Sequence, residues 1–338
     1  MNSTCVRLAG VKVASGAFAA IWLLAATAAL AQSDAQTVAN TQPQATNPAA
    51  PTAAVTKAAI GPPGIPAKVL FGKVTTPAPL EARAIGFYSK GCLAGAQALP
   101  VDGPAWQAMR LSRNRNWGHP ALLKTIERLA LDAQSLDGWP GLLVGDMSQP
   151  RGGPMLTGHA SHQIGLDADV WLTPMPNRRF STKEREDVSA ISVLAPGDLA
   201  VDPKVWTQAH VNLIRRAASY TEVERVLVHP AIKKALCEAI PTNQNRVWLS
   251  KVRPYWGHFY HFHVRIGCPP GMTGCQTQAA IPTDDGCGKE LADWYVLLTA
   301  PPKPRDPNAP PEKPVPPMTL DQMPQDCRVV LNAGAAAR

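Results

Sequence analysis

Apolar residues recur at helical spacing in one long stretch of the chain. Leu122, Ile126 and Leu129 fall on one face of a helix over residues 120–134, and Pro120 suits its first turn. The other predicted elements are helices over residues 204–219 and 230–240, and strands over residues 141–147, 165–172, 223–228 and 261–267. Short strands separated by long segments rich in Pro and Gly are typical of α+β proteins. We therefore predict a single domain with a small, mostly antiparallel sheet, flanked by helices and long loops.

The N-terminus has the pattern of an export signal. Residues 1–31 carry Arg7 and Lys12, then an uncharged apolar stretch, and end in Ala-Leu-Ala. The apolar stretch is shorter than the roughly 20 residues of a membrane span, and no second one follows. We predict a cleaved signal peptide, a periplasmic protein and no stable membrane insertion.

Composition divides the rest of the chain. Residues 32–79 are rich in Ala, Pro and Thr with few large apolar residues, which predicts a disordered linker. Residues 80–299 form the predicted folded domain, and residues 300–338 a Pro-rich C-terminal tail. Because Cys327 lies in this tail, we expect the tail to be tied back to the domain.

Cysteine number and charge agree with export. Seven cysteines, less Cys5 in the signal, leave six, and an even number in an exported chain predicts three disulfides whose pairing stays open. Loss of Arg7 and Lys12 lowers the formal net charge from +8 to +6. A moderately basic exported protein suits an anionic polymer of the cell envelope better than nucleic acid.

Five of the eight histidines lie in two short stretches, around His162 and His261. In the second stretch His261 and His263 alternate with apolar residues, so both share one face of a strand. The first stretch ends in another alternating run that contains Asp169. Imidazoles from the two stretches and a carboxylate are the ligands of a catalytic zinc, whose remaining position holds water. These nitrogen and oxygen donors favour zinc over a soft-metal centre.

Longer motifs surround these residues, namely Gly-His-Ala-Ser-His-Gln at 158–163, Gly-Leu-Asp-Ala-Asp at 165–169, Val-Arg-Pro at 252–254 and His-Phe-His-Val-Arg at 261–265. With them the chain resembles the penicillin-insensitive murein endopeptidases, which are related to lysostaphin-type and D-alanyl-D-alanine zinc peptidases. The resemblance extends over residues 91–294. It implies a zinc peptidase that cuts the D-alanyl to meso-diaminopimelyl cross-link of peptidoglycan.

The resemblance also implies roles for single residues. The family's zinc ligands fall on His162, Asp169 and His263, its second catalytic histidine falls on His261, and a further histidine of the site falls on His258. The implied disulfides are Cys92 with Cys327, Cys237 with Cys287 and Cys268 with Cys275.

The chain departs from the family pattern in one loop. The family can hold a second zinc at a dimer contact, through the histidine equivalent to His159 and an Asp and a His of the loop at 192–203. Here that loop has Asp198 and Asp202 but no histidine. A second zinc and a dimer therefore stay open.

Chemistry suggests what the residues around the zinc do. Bound zinc lowers the pKa of its water to about 7 and polarises a carbonyl. His261 is placed to take the water proton or to stabilise the oxyanion, and His258 is either a second such group or a packed histidine. Asp167 either orients a ligating imidazole or is solvated. Arg253 and Arg265 are candidates to bind a carboxylate of the stem peptide, or ordinary surface charges.

Two other functions compete with a murein endopeptidase. A zinc D,D-carboxypeptidase that trims terminal D-alanine would use the same ligands. A non-catalytic peptidoglycan-binding regulator would have no need of the intact ligand set. Whether L,D-cross-links are also cut stays open.

Overall fold

The computed structural model describes residues 64–301 and 315–334, which belong to one compact unit. The predicted signal peptide and the linker as far as residue 63 lie outside the described residues. Within the described ranges, no helix is long and apolar enough to cross a membrane.

Short helices and short strands alternate irregularly along the chain. The helices are α1 Ala67–Gly72, α2 Pro120–Leu136, α3 Thr182–Asp187, α4 Gln208–Ser219, α5 Pro230–Ala239, α6 Lys289–Thr299 and α7 Asp326–Asn332. The strands are β1 Arg83–Phe87, β2 Lys90–Ala94, β3 Gln97–Ala98, β4 Asp102–Gly103, β5 Trp106–Ala108, β6 Trp117–Gly118, β7 Leu142–Val144, β8 Asp167–Trp171, β9 Val223–Val228, β10 Val252–Pro254 and β11 His261–Ile266. The α+β prediction is confirmed.

The helix predicted over 120–134 is α2. His119 precedes it and accepts the backbone N–H of Ala121 through Nδ1, at 3.1 Å, which caps the first turn. Leu122, Ile126 and Leu129 are fully buried, and α2 packs against α4 and β8. The helices predicted over 204–219 and 230–240 correspond to α4 and α5, and the four predicted strands to β7, β8, β9 and β11.

A seven-stranded sheet in the order β10-β9-β11-β8-β7-β5-β4 forms the centre of the described structure. β11 lies antiparallel between β9 and β8, whereas β10 with β9 and β5 with β7 are parallel pairs. Every residue of β11 is buried. Phe262 and Val264 extend into the main core on one face. His261 and His263 therefore lie on the opposite face, where they are buried among polar groups.

Three disulfides cross-link the chain, and they are the pairs that the resemblance implied. Cys92 bonds Cys327 across 235 residues of sequence, and the other pairs are Cys237–Cys287 and Cys268–Cys275. The first disulfide attaches α7 to β2, as expected for the tail. Residues 64–79, placed in the linker from composition, instead contain α1, whose Phe71 is buried in a small cluster with α7. Short apolar segments become ordered here because the C-terminal segment covers them.

Candidate metal centre

Strand register brings a carboxylate and an imidazole together. Asp169 of β8 pairs directly with His263 of β11, and side chains of directly paired residues lie on the same face of a sheet. His263 Nδ1 is 3.2 Å from Asp169 Oδ1. Both side chains are almost fully buried.

His162 reaches the same point from the loop before β8. Its backbone lies in the left-handed region, with φ 66°, which is uncommon for a residue other than glycine. Its Nδ1 is 2.7 Å from the carbonyl oxygen of Met147 and so carries the hydrogen. Nε2, left with a free lone pair, is 3.4 Å from Asp169 Oδ1.

Asp167 accepts hydrogen bonds from both His162 and His263. It is fully buried and accepts hydrogen bonds from the backbone N–H of His162 at 3.0 Å, from His263 Nε2 at 2.9 Å and from Arg265 Nε at 2.7 Å. Burial favours the neutral acid, but Arg265 and His263 hold the pKa of Asp167 well below its usual range. Because His263 donates through Nε2, its Nδ1 presents a lone pair toward Asp169.

The donor atoms that face one another fit a bound cation. Buried His162 Nε2 and Asp169 Oδ1 have no hydrogen-bond partner among the described residues. A buried carboxylate oxygen without a partner is costly, and a cation coordinated by it removes that cost. His159, His162 and Asp169 offer ligand atoms that all lie within 4.8 Å of one another, and His263 adds its Nδ1 beside Asp169. Imidazoles with a carboxylate suit zinc.

His261 and His258 line the open side of this cluster. His261 Nε2 is 3.7 Å from Asp169 Oδ2, and its buried Nδ1 has no partner within the described ranges. The His258 ring centre is 4.8 Å from that of His261, and its Nδ1 is 2.8 Å from the carbonyl oxygen of Trp256. Burial lowers the pKa of His261 and lowers the pKa of His258 to about 3. Both rings are therefore neutral near pH 7.

A carboxylate to which the sequence motifs gave no role lies beside the cluster. Asp146 Oδ2 is 3.0 Å from His159 Nε2, 3.1 Å from Arg113 and 2.8 Å from Arg115. Burial opposes ionisation, but these partners lower the pKa of Asp146 to about 2. Asp146 lies just after β7, within the strand predicted over residues 141–147 and within a Gly-Asp-Met motif that the resemblance includes.

The structure engages the two arginines that were candidates for substrate binding. Arg265 is buried against Asp167, with its guanidinium 4.0 Å from the centre of the Tyr88 ring, and Arg253 pairs with Glu290. Both therefore have carboxylate partners within the protein, although both also border the larger depression beside the cluster. The histidines outside the cluster all hold helix ends or loops through backbone hydrogen bonds, namely His119, His210 and His229.

Two depressions meet at the cluster. A groove of about 890 Å³ extends past His258, His261 and His263 and is lined by Tyr255 and Trp256. A smaller cavity of about 290 Å³ adjoins His261 on another side. The centre is thus accessible from both depressions.

The comparisons with known proteins agree with this architecture. A family model described as Penicillin-insensitive murein endopeptidase matches residues 84–332. Proteins of that name are similar to this chain, from Haemophilus influenzae (45% identical over 69% of this chain and 79% of the relative), Klebsiella pneumoniae (40%, over 77% and 90%) and Pectobacterium atrosepticum (39%, over 80% and 92%). The α+β fold and these matches define the chain as a hydrolase of the peptidase class. Within that class it belongs to the penicillin-insensitive murein endopeptidase family.

Proposed function

We propose that the protein is an exported zinc peptidase that hydrolyses the D-alanyl to meso-diaminopimelyl cross-link of peptidoglycan. His162 Nε2, Asp169 Oδ1 and His263 Nδ1 are the proposed zinc ligands. One observation carries the proposal. His162 Nε2 and Asp169 Oδ1 are buried and have no hydrogen-bond partner within the described structure, and His263 Nδ1 lies 3.2 Å from Asp169 Oδ1.

Each proposed ligand is held by a second group. The Met147 carbonyl fixes the tautomer of His162, and Asp167 fixes that of His263. His159 is held in a similar way, with Nε2 on Asp146, but its Nδ1 lies 3.5 Å from Asp169 Oδ2 and its side chain is more exposed. His263 is nearly buried, and its Nδ1 lies nearer, on Oδ1, the oxygen that His162 also faces. We therefore prefer His263 over His159 as the third ligand.

Bound zinc would supply a water of pKa about 7 and polarise the scissile carbonyl. The chain's own residues handle the proton. His261, neutral and next to Asp169, is placed to accept it, and His258 lies beside His261 as a further neutral imidazole on this side of the site. The groove on that side holds the peptide so that its carbonyl faces these rings.

Insensitivity to penicillin follows from this chemistry. Penicillins acylate a serine within Ser-x-x-Lys, accompanied by Ser-Asp-Asn and Lys-Thr-Gly elements, and the sequence contains none of the three. A peptidase that attacks with water has no covalent acyl-enzyme for the drug to trap.

The test is digestion of purified cross-linked muropeptide dimers, followed by chromatography. We expect monomers as products, no effect of excess benzylpenicillin, complete loss with a chelator and recovery with zinc. Inhibition by penicillin, or cleavage by metal-free protein, would contradict the proposal. Release of terminal D-alanine from pentapeptide monomers, with dimers left intact, would favour the carboxypeptidase instead.

Two matched variants on one strand test the residue roles. His263→Ala removes a ligand and should abolish both stoichiometric zinc and turnover, whereas His261→Ala should keep zinc and lose turnover. Zinc content is measured by elemental analysis of the dialysed proteins. A His263→Ala protein that keeps a full equivalent of zinc would show that the ligand assignment is wrong.

A further inference from the structure

An arginine in the smaller cavity has no carboxylate partner among the described residues. Arg110 directs its guanidinium over the Trp171 ring, 5.6 Å from the ring centre, and donates one hydrogen bond to the carbonyl of Val188 at 2.9 Å. The side chain has five N–H donors, so most of them remain for another acceptor. Arg110 also lies in the left-handed region, with φ 58°, a conformation that surrounding contacts must hold in place.

This arginine lies beside the candidate catalytic residues. Trp171 pairs directly with His261 across β8 and β11, and it is two residues from Asp169 on the same strand face. Side chains two residues apart on one face of a strand are separated by about 7 Å. The cavity of about 290 Å³ is lined by Arg110, Asp169 and His261 together.

The second arginine of the cavity already has a carboxylate partner. Arg113 pairs with Asp146, which also pairs with Arg115. Ser189 and Tyr260 add hydroxyl groups to the lining. A small polar cavity with one free guanidinium is suited to a carboxylate, which arginine binds through two parallel hydrogen bonds.

We propose that Arg110 is a specificity-determining residue that binds the carboxylate next to the leaving nitrogen of the substrate. This inference rests on the proposed function. In a D-alanyl to diaminopimelyl cross-link, the scissile carbonyl carbon, the nitrogen, the α-carbon and a free carboxylate carbon are consecutive atoms. With the carbonyl at the metal centre, that carboxylate lies within reach of the adjoining cavity. The larger groove is left for the peptide chains.

The experiment compares two cross-linked dimers that differ only at this group, one with the free carboxylate and one with the carboxamide. The wild-type protein should cut the free acid with a kcat/KM roughly 10- to 100-fold higher, the loss expected for one charged hydrogen-bonding contact. Arg110→Gln should lose this preference. Arg110→Lys should keep part of it, because lysine retains the charge without the planar fork. Arg178→Gln, which removes an exposed arginine paired with Glu184 away from the site, should keep the full preference.

Binding supplies a readout that does not depend on turnover. In calorimetric titration, the monomer product with a free carboxylate should bind Arg110→Gln at least tenfold more weakly than wild type, while the carboxamide product should bind both equally. Circular dichroism and zinc content check that each variant is folded and loaded.

The outcomes separate the two proposals. If wild type cuts neither dimer, the proposed function fails. If wild type cuts both dimers equally, or if Arg110→Gln keeps the preference, the role of Arg110 is refuted while the proposed function stands.

Discussion

Replacing Asp167 with asparagine is the sharpest test of how the site is held together. The two side chains have almost the same shape, so the change creates no cavity and removes mainly the negative charge. Asp167 is fully buried, and the side chain of Arg265 is 8% exposed. Breaking a buried ion pair on one side leaves an uncompensated charge and costs about 3–5 kcal/mol. This is a large share of the roughly 5–15 kcal/mol that stabilises a typical domain.

The same change should weaken metal binding. His263 Nε2 loses its carboxylate acceptor, and loss of such a partner typically lowers metal affinity about 10- to 100-fold. Stability is measured by urea denaturation of the oxidised protein, and zinc affinity by competition with a chromophoric chelator. We expect both to fall in Asp167→Asn.

A double variant separates the two effects. Asp167→Asn with Arg265→Met removes the unpaired charge and should recover part of the lost stability. It should not recover zinc affinity, because His263 still lacks a carboxylate. An Asp167→Asn protein with unchanged urea midpoint and unchanged zinc affinity would refute this reasoning.

Three further predictions concern the framework around the site. Burial lowers the pKa values of His119 and His229 in the folded protein. Below about pH 6.5 the unfolded chain therefore binds more protons than the folded one, and the free energy of unfolding decreases as the pH is lowered. Replacing both by Asn, which also caps helices, should flatten this loss in urea denaturation between about pH 7.5 and 5.5. An unchanged slope would contradict it. Replacing Cys92 and Cys327 by Ala should cost about 2–5 kcal/mol in the same assay, and an equal midpoint would show that the 235-residue loop does not matter. Gly165→Ala should destabilise by about 1–3 kcal/mol, because φ is 71° and the added carbon would lie 2.4 Å from a Leu93 methyl group. Wild-type stability in this variant would contradict that account.

Local patterns in the sequence determined most of the secondary structure around the site. The spacing of Leu122, Ile126 and Leu129 predicted α2, and the alternation through His261 and His263 predicted β11. These patterns are readable because helix and strand periodicities depend only on neighbours in the chain. The ordered motifs likewise led to the family before any fold was known.

Tertiary structure decided which atoms face one another. The pairing of Asp169 with His263, the contact of His162 with the Met147 carbonyl and the burial of Arg265 against Asp167 all join residues from different segments. Strand register and loop path are non-local, so no spacing within one segment encodes them.

The non-local packing of segments also explains why composition did not predict the ordered helix α1 within residues 64–79. Residues 64–79 were assigned to a segment with few large apolar residues, yet Phe71 is buried because α7 is held over it by the Cys92–Cys327 disulfide. Arg110 carries no motif at all, and only the fold places its guanidinium over Trp171, beside the strand that bears Asp169. The sequence by itself thus determined the elements and the candidate ligands. The packing of distant segments decided the geometry of these ligands and placed the Arg110 guanidinium next to them.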